Sequence, residues 1–175
     1  MQLWYIYYMY FEIKDRLSNE ERKVVIMKIA IGADHGGYKL KEEIKKYLDE
    51  LEINYVDVGT DSEERVDYPI IAKEVCKNVQ TKGADFGIII CKTGYGMSIV
   101  ANKFKGIRCA ACYNQESAKF AKLHNDINVL ALGAEYVSTN EAICILRMIF
   151  ATQFEGGRHS ERLEMIKEIE KDNMK

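Results

Sequence analysis

The sequence contains a single proline among 175 residues, where an average composition would supply roughly nine. This scarcity excludes a proline-rich linker or stalk. Charge excess is also missing, because 25 basic residues face 27 acidic ones and the net charge is −2. No basic surplus therefore points to a nucleic acid or anionic membrane partner. No apolar run reaches the roughly 18 residues that a transmembrane helix needs.

Cysteines are too few and too irregular for a disulfide framework. There are five, an odd number, scattered from Cys76 to Cys144, whereas small secreted domains carry an even and denser set. The N-terminus has no basic region ahead of its apolar residues, which argues against a signal peptide. We therefore expect free thiols in a reducing cytoplasm.

One pair, Cys109 and Cys112, has the spacing of redox or zinc pairs, but it lies in an apolar run that predicts a buried strand. Residues three apart on a strand face opposite sides, so this pair is expected to be structural. The three histidines lie far apart in the sequence and have no partner at metal-ligand spacing. We expect no metal site.

What the sequence does contain is an alternation of short apolar runs and helical stretches. Hydrophobic residues make up 47% of the chain and charged residues 30%, a balance typical of a globular protein. The expected strands are 28–32, 53–58, 86–91, 107–113 and 127–132. The expected helices are 37–51, 69–79, 96–102, 115–123, 140–152 and 158–171. This pattern predicts a three-layer α/β/α Rossmann-like sandwich with a five-stranded parallel sheet.

In such folds ligands bind beyond the carboxyl ends of the strands, where one loop, CKTGYGMS at 91–98, is the most informative. A thiol ends an apolar strand, a glycine-rich turn follows, and a helix begins. Amides converging there can hold a phosphate or an oxyanion and favour the thiolate of Cys91. The simpler alternative is a buried cysteine beside an ordinary turn.

Three chemistries compete for this loop. A dinucleotide site requires a third glycine where Ile99 stands. A cysteine phosphatase requires an arginine six residues after the cysteine, at Met97. The third is proton transfer on a carbonyl compound, with a thiolate base and loop amides that stabilise an enediolate.

Other polar residues have both functional and structural interpretations. Asp34 and His35 follow the first strand and could bind sugar hydroxyls or move a proton, or Asp34 could cap the next helix. His124 could act in a site or serve as the cation at a helix C-terminus. Arg158 and Arg162 share a helix face that suits a phosphate, although on these residues alone a solvated face is the simpler explanation.

Taken together, these loops resemble the ribose-5-phosphate isomerase B family, within the wider ribose/galactose isomerase group. The resemblance runs from Met27 to about Lys171 without a large insertion. The matching blocks are GADHGGYKLK at 32–41, RVDYP at 65–69, CKTGYGMSIVANK at 91–103, GIR at 106–108, LHNDINVLALGA at 123–134 and FEGGRHSERLEMI at 154–166.

The resemblance implies interconversion of ribose 5-phosphate and ribulose 5-phosphate, a step of the pentose phosphate pathway, without a metal or an organic cofactor. Cys91 would be the base that moves a proton between C1 and C2, Thr93 would hydrogen-bond near it, and His124 would assist ring opening. The implied substrate contacts are Asp34, His35, Tyr68 and Asn125 on the sugar, the loop residues Lys92, Gly94, Tyr95 and Gly96 on the enediolate, and Arg158 and Arg162 on the phosphate. Family members form homodimers, or dimers of dimers, with a shared active site.

Two positions depart from the family pattern. Lys92 follows the cysteine where glycine is usual, and Glu135 stands where many members carry an arginine near the ligand. A lysine at a positive φ would cost on the order of 1 kcal/mol, and Glu135 should weaken anion binding unless it turns away. The alternatives left open are an allose or galactose 6-phosphate isomerase and a weakly catalytic sugar-phosphate-binding protein.

Residues 1–26 precede the resemblance and form a predicted N-terminal extension, followed by a single isomerase domain over 27–175 that ends in a helix. The extension holds six of the 18 aromatic residues, between Trp4 and Phe11. Such a segment is prone to β-aggregation if exposed. We expect either an arm packed on a neighbouring surface or an upstream extension absent from the natural product, with Met27 as the true start.

Overall fold

The structure, a computed structural model, describes residues 27–174, so the expectations for residues 1–26 lie outside it. Within that range the chain alternates strands and helices as the apolar pattern predicts. The strands are β1 (Ile29–Ala33), β2 (Tyr55–Asp57), β3 (Phe86–Cys91), β4 (Cys109–Ala111) and β5 (Val129–Gly133). The helices are α1 (Tyr38–Glu50), α2 (Tyr68–Gln80), α3 (Tyr95–Ala101), α4 (Gln115–Asn125), α5 (Thr139–Ala151) and α6 (Arg158–Asn173).

The strands form one parallel sheet in the order β2-β1-β3-β5-β4. Every residue of the three central strands is buried. Helices α1, α4 and α5 pack on one face and helices α2 and α3 on the other. The predicted three-layer α/β/α sandwich with five parallel strands is therefore confirmed.

Continuous apolar runs form the central strands because both faces of each strand need cover. In β3, Ile88 and Ile90 point into one core and Ile89 and Cys91 into the other. The covering helices are apolar on one side only, since α1 buries Leu40, Ile44 and Leu48 at a spacing of four and turns Lys46, Asp49 and Glu50 to solvent. None of the helices in residues 27–174 has the length and apolar character needed to cross a membrane.

The expectation for the C-x-x-C pair is confirmed. Cys109 packs with the core between the sheet and α2 and α3, whereas Cys112 belongs to the opposite core. All five cysteines are free thiols. The pair therefore serves packing and makes no dithiol site.

A buried ion pair, absent from the sequence expectations, fixes α1 to the edge strand β2. Lys41 is only 1% exposed. Its ammonium bonds the Asp57 carboxylate and donates to the carbonyl of Thr60 at 2.8 Å. Lys45 donates to the same carboxylate at 2.9 Å. Burial alone would raise the pKa of Asp57, but the hydrogen bonds from Lys41 and Lys45 outweigh it, so the pKa is lowered.

Replacing Asp57 by asparagine should destabilise the fold by about 3 kcal/mol at neutral pH, because the buried Lys41 ammonium loses its nearest carboxylate and keeps only Glu42, at 3.1 Å. The lowered pKa means that wild type holds this stabilisation above the unfolded-state pKa of aspartate and loses it as pH falls through the folded-state pKa. Urea unfolding across the acid range should therefore show a flatter pH profile for Asp57→Asn. The exposed Asp61→Asn is the control, and equal unfolding free energies for both variants would contradict the assignment.

Candidate active site

The central strands end side by side, which gathers the predicted sugar-binding loops at one edge of the sheet. Ala33 lies in register with Ile90, and Cys91 with Gly133. The loops that follow β1 and β3 touch, since a Cβ placed on Gly36 would lie 3.2 Å from the Cβ of Lys92. This carboxyl edge is where a doubly wound sheet presents its ligands.

Cys91 ends β3 with its side chain in the core and its sulfur at the loop. It is 5% exposed, and its Sγ accepts a hydrogen bond from the amide of Gly94 at 3.1 Å. Gly94 reaches that position through a left-handed φ of +80°, which glycine adopts without strain. Helix α3 has only seven residues, so the polar contact that matters at the sulfur is the hydrogen bond from this one amide.

Three of the other thiols are unsuited to act as a base. Burial raises the pKa of Cys76 and of Cys109 to about 12 and that of Cys112 to about 11. They are protonated at neutral pH and packed into the two cores. Cys91 is set apart by its position at a strand end beside a polar loop.

The loop after β3 is held by main-chain contacts with the loop after β5. The amides of Ala134 and Glu135 donate to the carbonyls of Cys91 and Lys92, both at 3.0 Å. Gly133 leaves room for Thr93, because a Cβ on Gly133 would lie 2.5 Å from the Thr93 carbonyl oxygen. The position of Thr93 is therefore fixed by backbone on both sides.

The two departures from the family pattern form a pair. The Lys92 ammonium lies 3.1 Å from the Glu135 carboxylate, and both side chains are more than half exposed. Lys92 is not among the described residues with positive φ, so the lysine brings no backbone strain. Each charge offsets the other beside the Cys91 loop.

Asp34 and His35 join this edge, with different environments. The buried Asp34 carboxylate accepts hydrogen bonds from the amides of Gly36 and Gly37 at 2.9 and 3.1 Å and so shapes the turn before α1. The helix is capped at Gly37 without a side-chain hydrogen bond, so Asp34 is not its cap. Burial raises the pKa of Asp34, although the two amides oppose the shift. The exposed His35 contacts the main chain of Val66 through Nδ1, with the carbonyl oxygen at 3.3 Å, and so ties the first loop to the DYP segment.

Tyr68 begins α2 and lies over the start of α3. A Cβ on Gly96 would come within 2.6 Å of its ring, so only a glycine allows this contact. Tyr95, two residues after Thr93, stacks obliquely with Tyr113 and Tyr136, at centroid distances of 5.9 and 6.1 Å. The sequence reasoning missed Tyr113 and Tyr136. The available signal was their place shortly after a strand, at the same edge of the sheet as Cys91.

The remaining predicted residues lie at the opposite edge. Helix α4 runs back from the carboxyl end of β4 and ends at Asn125, just before β5 begins. Arg108, immediately before β4, donates to the carbonyl of Asn125 at 3.0 Å. Five-residue strands at about 3.3 Å per residue place this amino-terminal edge about 16 Å from Cys91.

At that edge His124 stacks on His159, with ring centroids 4.2 Å apart and planes 5° from parallel. Both Nε2 atoms approach one carboxylate oxygen of Glu155, at 3.5 Å for His124 and 3.4 Å for His159. Burial, followed by the neighbouring His124 and Arg158, lowers the pKa of His159. Although they are far apart in the sequence, His124 and His159 meet in the fold, and with Glu155 they place three potential ligand atoms within 4.8 Å of one another.

Arg158 and Arg162 occupy the first turns of α6, exposed and on the same side of the molecule as this histidine pair. One chain thus gathers nine of the predicted residues at the carboxyl edge: Asp34, His35, Tyr68, Cys91, Lys92, Thr93, Gly94, Tyr95 and Gly96. It does not bring them together with the other four, which are His124, Asn125, Arg158 and Arg162.

Comparison with known proteins gives the family. A sequence model of the Ribose/Galactose Isomerase family matches residues 29–166. Ribose-5-phosphate isomerase B of Escherichia coli is 47% identical over 143 residues, which cover 82% of this chain and 96% of that protein.

Solved structures agree with this assignment. Ribose-5-phosphate isomerase B of Clostridium thermocellum is 46% identical with a TM-score of 0.82, over 83% of this chain and 99% of that chain. The Mycoplasma genitalium enzyme with bound ribulose-5-phosphate is 36% identical with a TM-score of 0.80, over 83% of this chain and 97% of that chain. The match of the family model, together with the identity and coverage of these relatives, shows that the chain belongs to the Ribose/Galactose Isomerase family.

Proposed function

We propose that this chain interconverts ribose 5-phosphate and ribulose 5-phosphate by proton transfer at Cys91, in the cytoplasm. Family membership makes it an aldose–ketose isomerase of sugar phosphates; the five-carbon substrate and the cysteine base are what we add. The relatives named ribose-5-phosphate isomerase B support the substrate, including the structure with bound ribulose-5-phosphate. The observation that carries the mechanism is the Gly94 amide 3.1 Å from the Cys91 sulfur.

The reaction moves a proton between C1 and C2 of the open-chain sugar through an enediolate. It needs a base close to the carbon and donors that stabilise the developing oxyanion. The Cys91 thiolate takes the proton from C2 of the aldose and returns it to C1. The amides of the fixed loop, from Lys92 to Gly96, stabilise the enediolate, and Thr93 hydrogen-bonds beside it. No metal or organic cofactor enters this scheme.

Phosphate binding and ring opening require residues from the other edge of the sheet. Because Arg158, Arg162, His124 and Asn125 are about 16 Å from the Cys91 of the same chain, we assign them to the site of a second copy. In a twofold dimer each copy gives one edge to each of two sites. The α6 helix supports this arrangement, since it exposes three apolar residues near the arginines: Met165, Ile166 and Ile169.

Replacing Cys91 by alanine should lower kcat for ribose 5-phosphate by at least about 100-fold, because the base is lost. The fold should persist, since the change removes one sulfur at a strand end. A coupled assay for ribulose 5-phosphate measures the rate, and circular dichroism checks the fold. Cys144→Ala, at a partly exposed thiol on α5, is the control.

An unchanged rate in Cys91→Ala would eliminate the cysteine base. Running allose 6-phosphate and galactose 6-phosphate beside ribose 5-phosphate on wild type compares kcat/KM for the two sugar classes. A higher value for a six-carbon sugar would overturn the substrate assignment. Sugar-phosphate binding without turnover would favour the alternative of a binding protein.

The shared site predicts complementation between two inactive variants. Mixing unfolded Cys91→Ala and His124→Asn chains and refolding them together should restore activity, because each mixed dimer contains one site with both residues intact. Random pairing gives mixed dimers in half of the population with one good site each, hence about a quarter of wild-type activity.

The control for this experiment is each variant refolded alone, which should stay inactive. If the mixture is no more active than the two variants separately, then both residues act within one chain and the shared site is wrong. Size-exclusion chromatography of the mixture confirms that dimers were present during the assay.

Glu135→Gln tests the ion pair beside the loop. The change frees the Lys92 ammonium and removes a negative charge near a dianionic substrate, so KM for ribose 5-phosphate should fall. Exposed pairs contribute about 0.2–1 kcal/mol, which corresponds to a fall of about 1.4- to fivefold at low salt. Steady-state kinetics at low and high ionic strength measure it; a KM that rises would show that Glu135 helps bind the sugar.

A further inference from the structure

We propose that His124, Glu155 and His159 form a binding site for a divalent transition-metal ion, with zinc as the best-fitting one. These residues come from the end of α4, the segment before α6 and the first turn of α6. The segment before α6 is held in place by the Glu155 amide, which donates to the carbonyl of Leu123 at 2.9 Å.

The distances match the coordination of zinc. A tetrahedral ion with ligands at about 2.0–2.1 Å has neighbouring ligand atoms about 3.3 Å apart. The two imidazole Nε2 atoms lie 3.5 and 3.4 Å from the shared Glu155 oxygen. The third distance, between the two Nε2 atoms, is at most 4.8 Å. It shortens when the stacked rings tilt toward each other. His124 is the more exposed of the two rings, at 31% of its side chain, although Phe120 packs on it at a centroid distance of 5.0 Å.

A second observation points to a ligand at the same place. His159 is 4% exposed, and its Nε2 is buried without a hydrogen-bond partner among residues 27–174. Buried side-chain nitrogens are rarely left in that condition. This atom faces Glu155 and would be satisfied by a coordinate bond.

The donor set selects the metal. Two imidazoles suit zinc, cobalt, nickel and copper, whereas magnesium and calcium prefer oxygen ligands. One carboxylate balances half of the ion's charge, and the exposed Arg158 and Arg162 oppose binding. We therefore expect a micromolar site with three protein ligands and an open position, weaker than a four-ligand structural site.

Metal at this site withdraws His124 from ring opening, because its Nε2 cannot coordinate zinc and serve the sugar at once. Zinc should therefore inhibit the isomerase, and sugar phosphate should relieve the inhibition. Only this consequence rests on the proposed function; binding of the ion does not.

The test is calorimetric titration of zinc chloride into the full chain, with cobalt(II) absorption as a second probe. Glu155→Gln should weaken zinc binding about 10-fold or more, since even partners that only orient a ligand cost 10–100-fold. Glu161→Gln, a carboxylate change in the first turn of α6, is the matched control and should leave binding unchanged. Cobalt(II) should give d–d bands without the charge-transfer band of a thiolate ligand.

Equal zinc affinity in Glu155→Gln and Glu161→Gln would overturn the site, as would a thiolate band that disappears in Cys91→Ala. An absence of binding up to millimolar zinc would overturn it as well. If zinc binds through Glu155 while the chain shows no isomerase activity, the metal site stands and the proposed function fails, so the two are tested separately.

Discussion

Burial of the central strands on both faces is the constraint on which the rest of the molecule depends. Helices cover β1, β3 and β5 from both sides. Polar and reactive groups on or beside these strands therefore reach solvent only where the strands begin or end. Each helix that joins two strands runs antiparallel to them, so residues at its C-terminal end lie at the edge opposite the strand-end loops. The separation of Cys91 from His124 is thus a property of the topology and not of any single loop.

Sequence reasoning succeeded where the determinants are local. The run FGIIIC predicts β3 because a continuous apolar segment of that length fits a strand covered on both faces. The opposite orientations of Cys109 and Cys112 follow from the two-residue period of a strand. The shared helix face of Arg158 and Arg162 likewise follows from a local rule, the spacing of four residues.

Contacts between distant segments were out of reach. The sequence around Lys41 gives no indication that Asp57 is its partner. The pairing of Lys92 with Glu135 depends on the parallel register of β3 and β5. Glu155 and His159 are four residues apart, but Gly156 and Gly157 between them both have positive φ. The two side chains therefore do not form a regular helical i, i+4 pair. The resemblance supplied roles for the site residues, while the distance between the two edges emerged only from the fold.

The two edge strands, β2 and β4, have three residues each and are the shortest in the sheet. Short edges offer few free main-chain groups, so they resist continuation of the sheet into another copy. Copies of this chain that associate must then do so through helix faces and strand-end loops. Those surfaces also carry the candidate site residues. A substitution that alters contacts between copies would therefore also alter the positions of the candidate site residues.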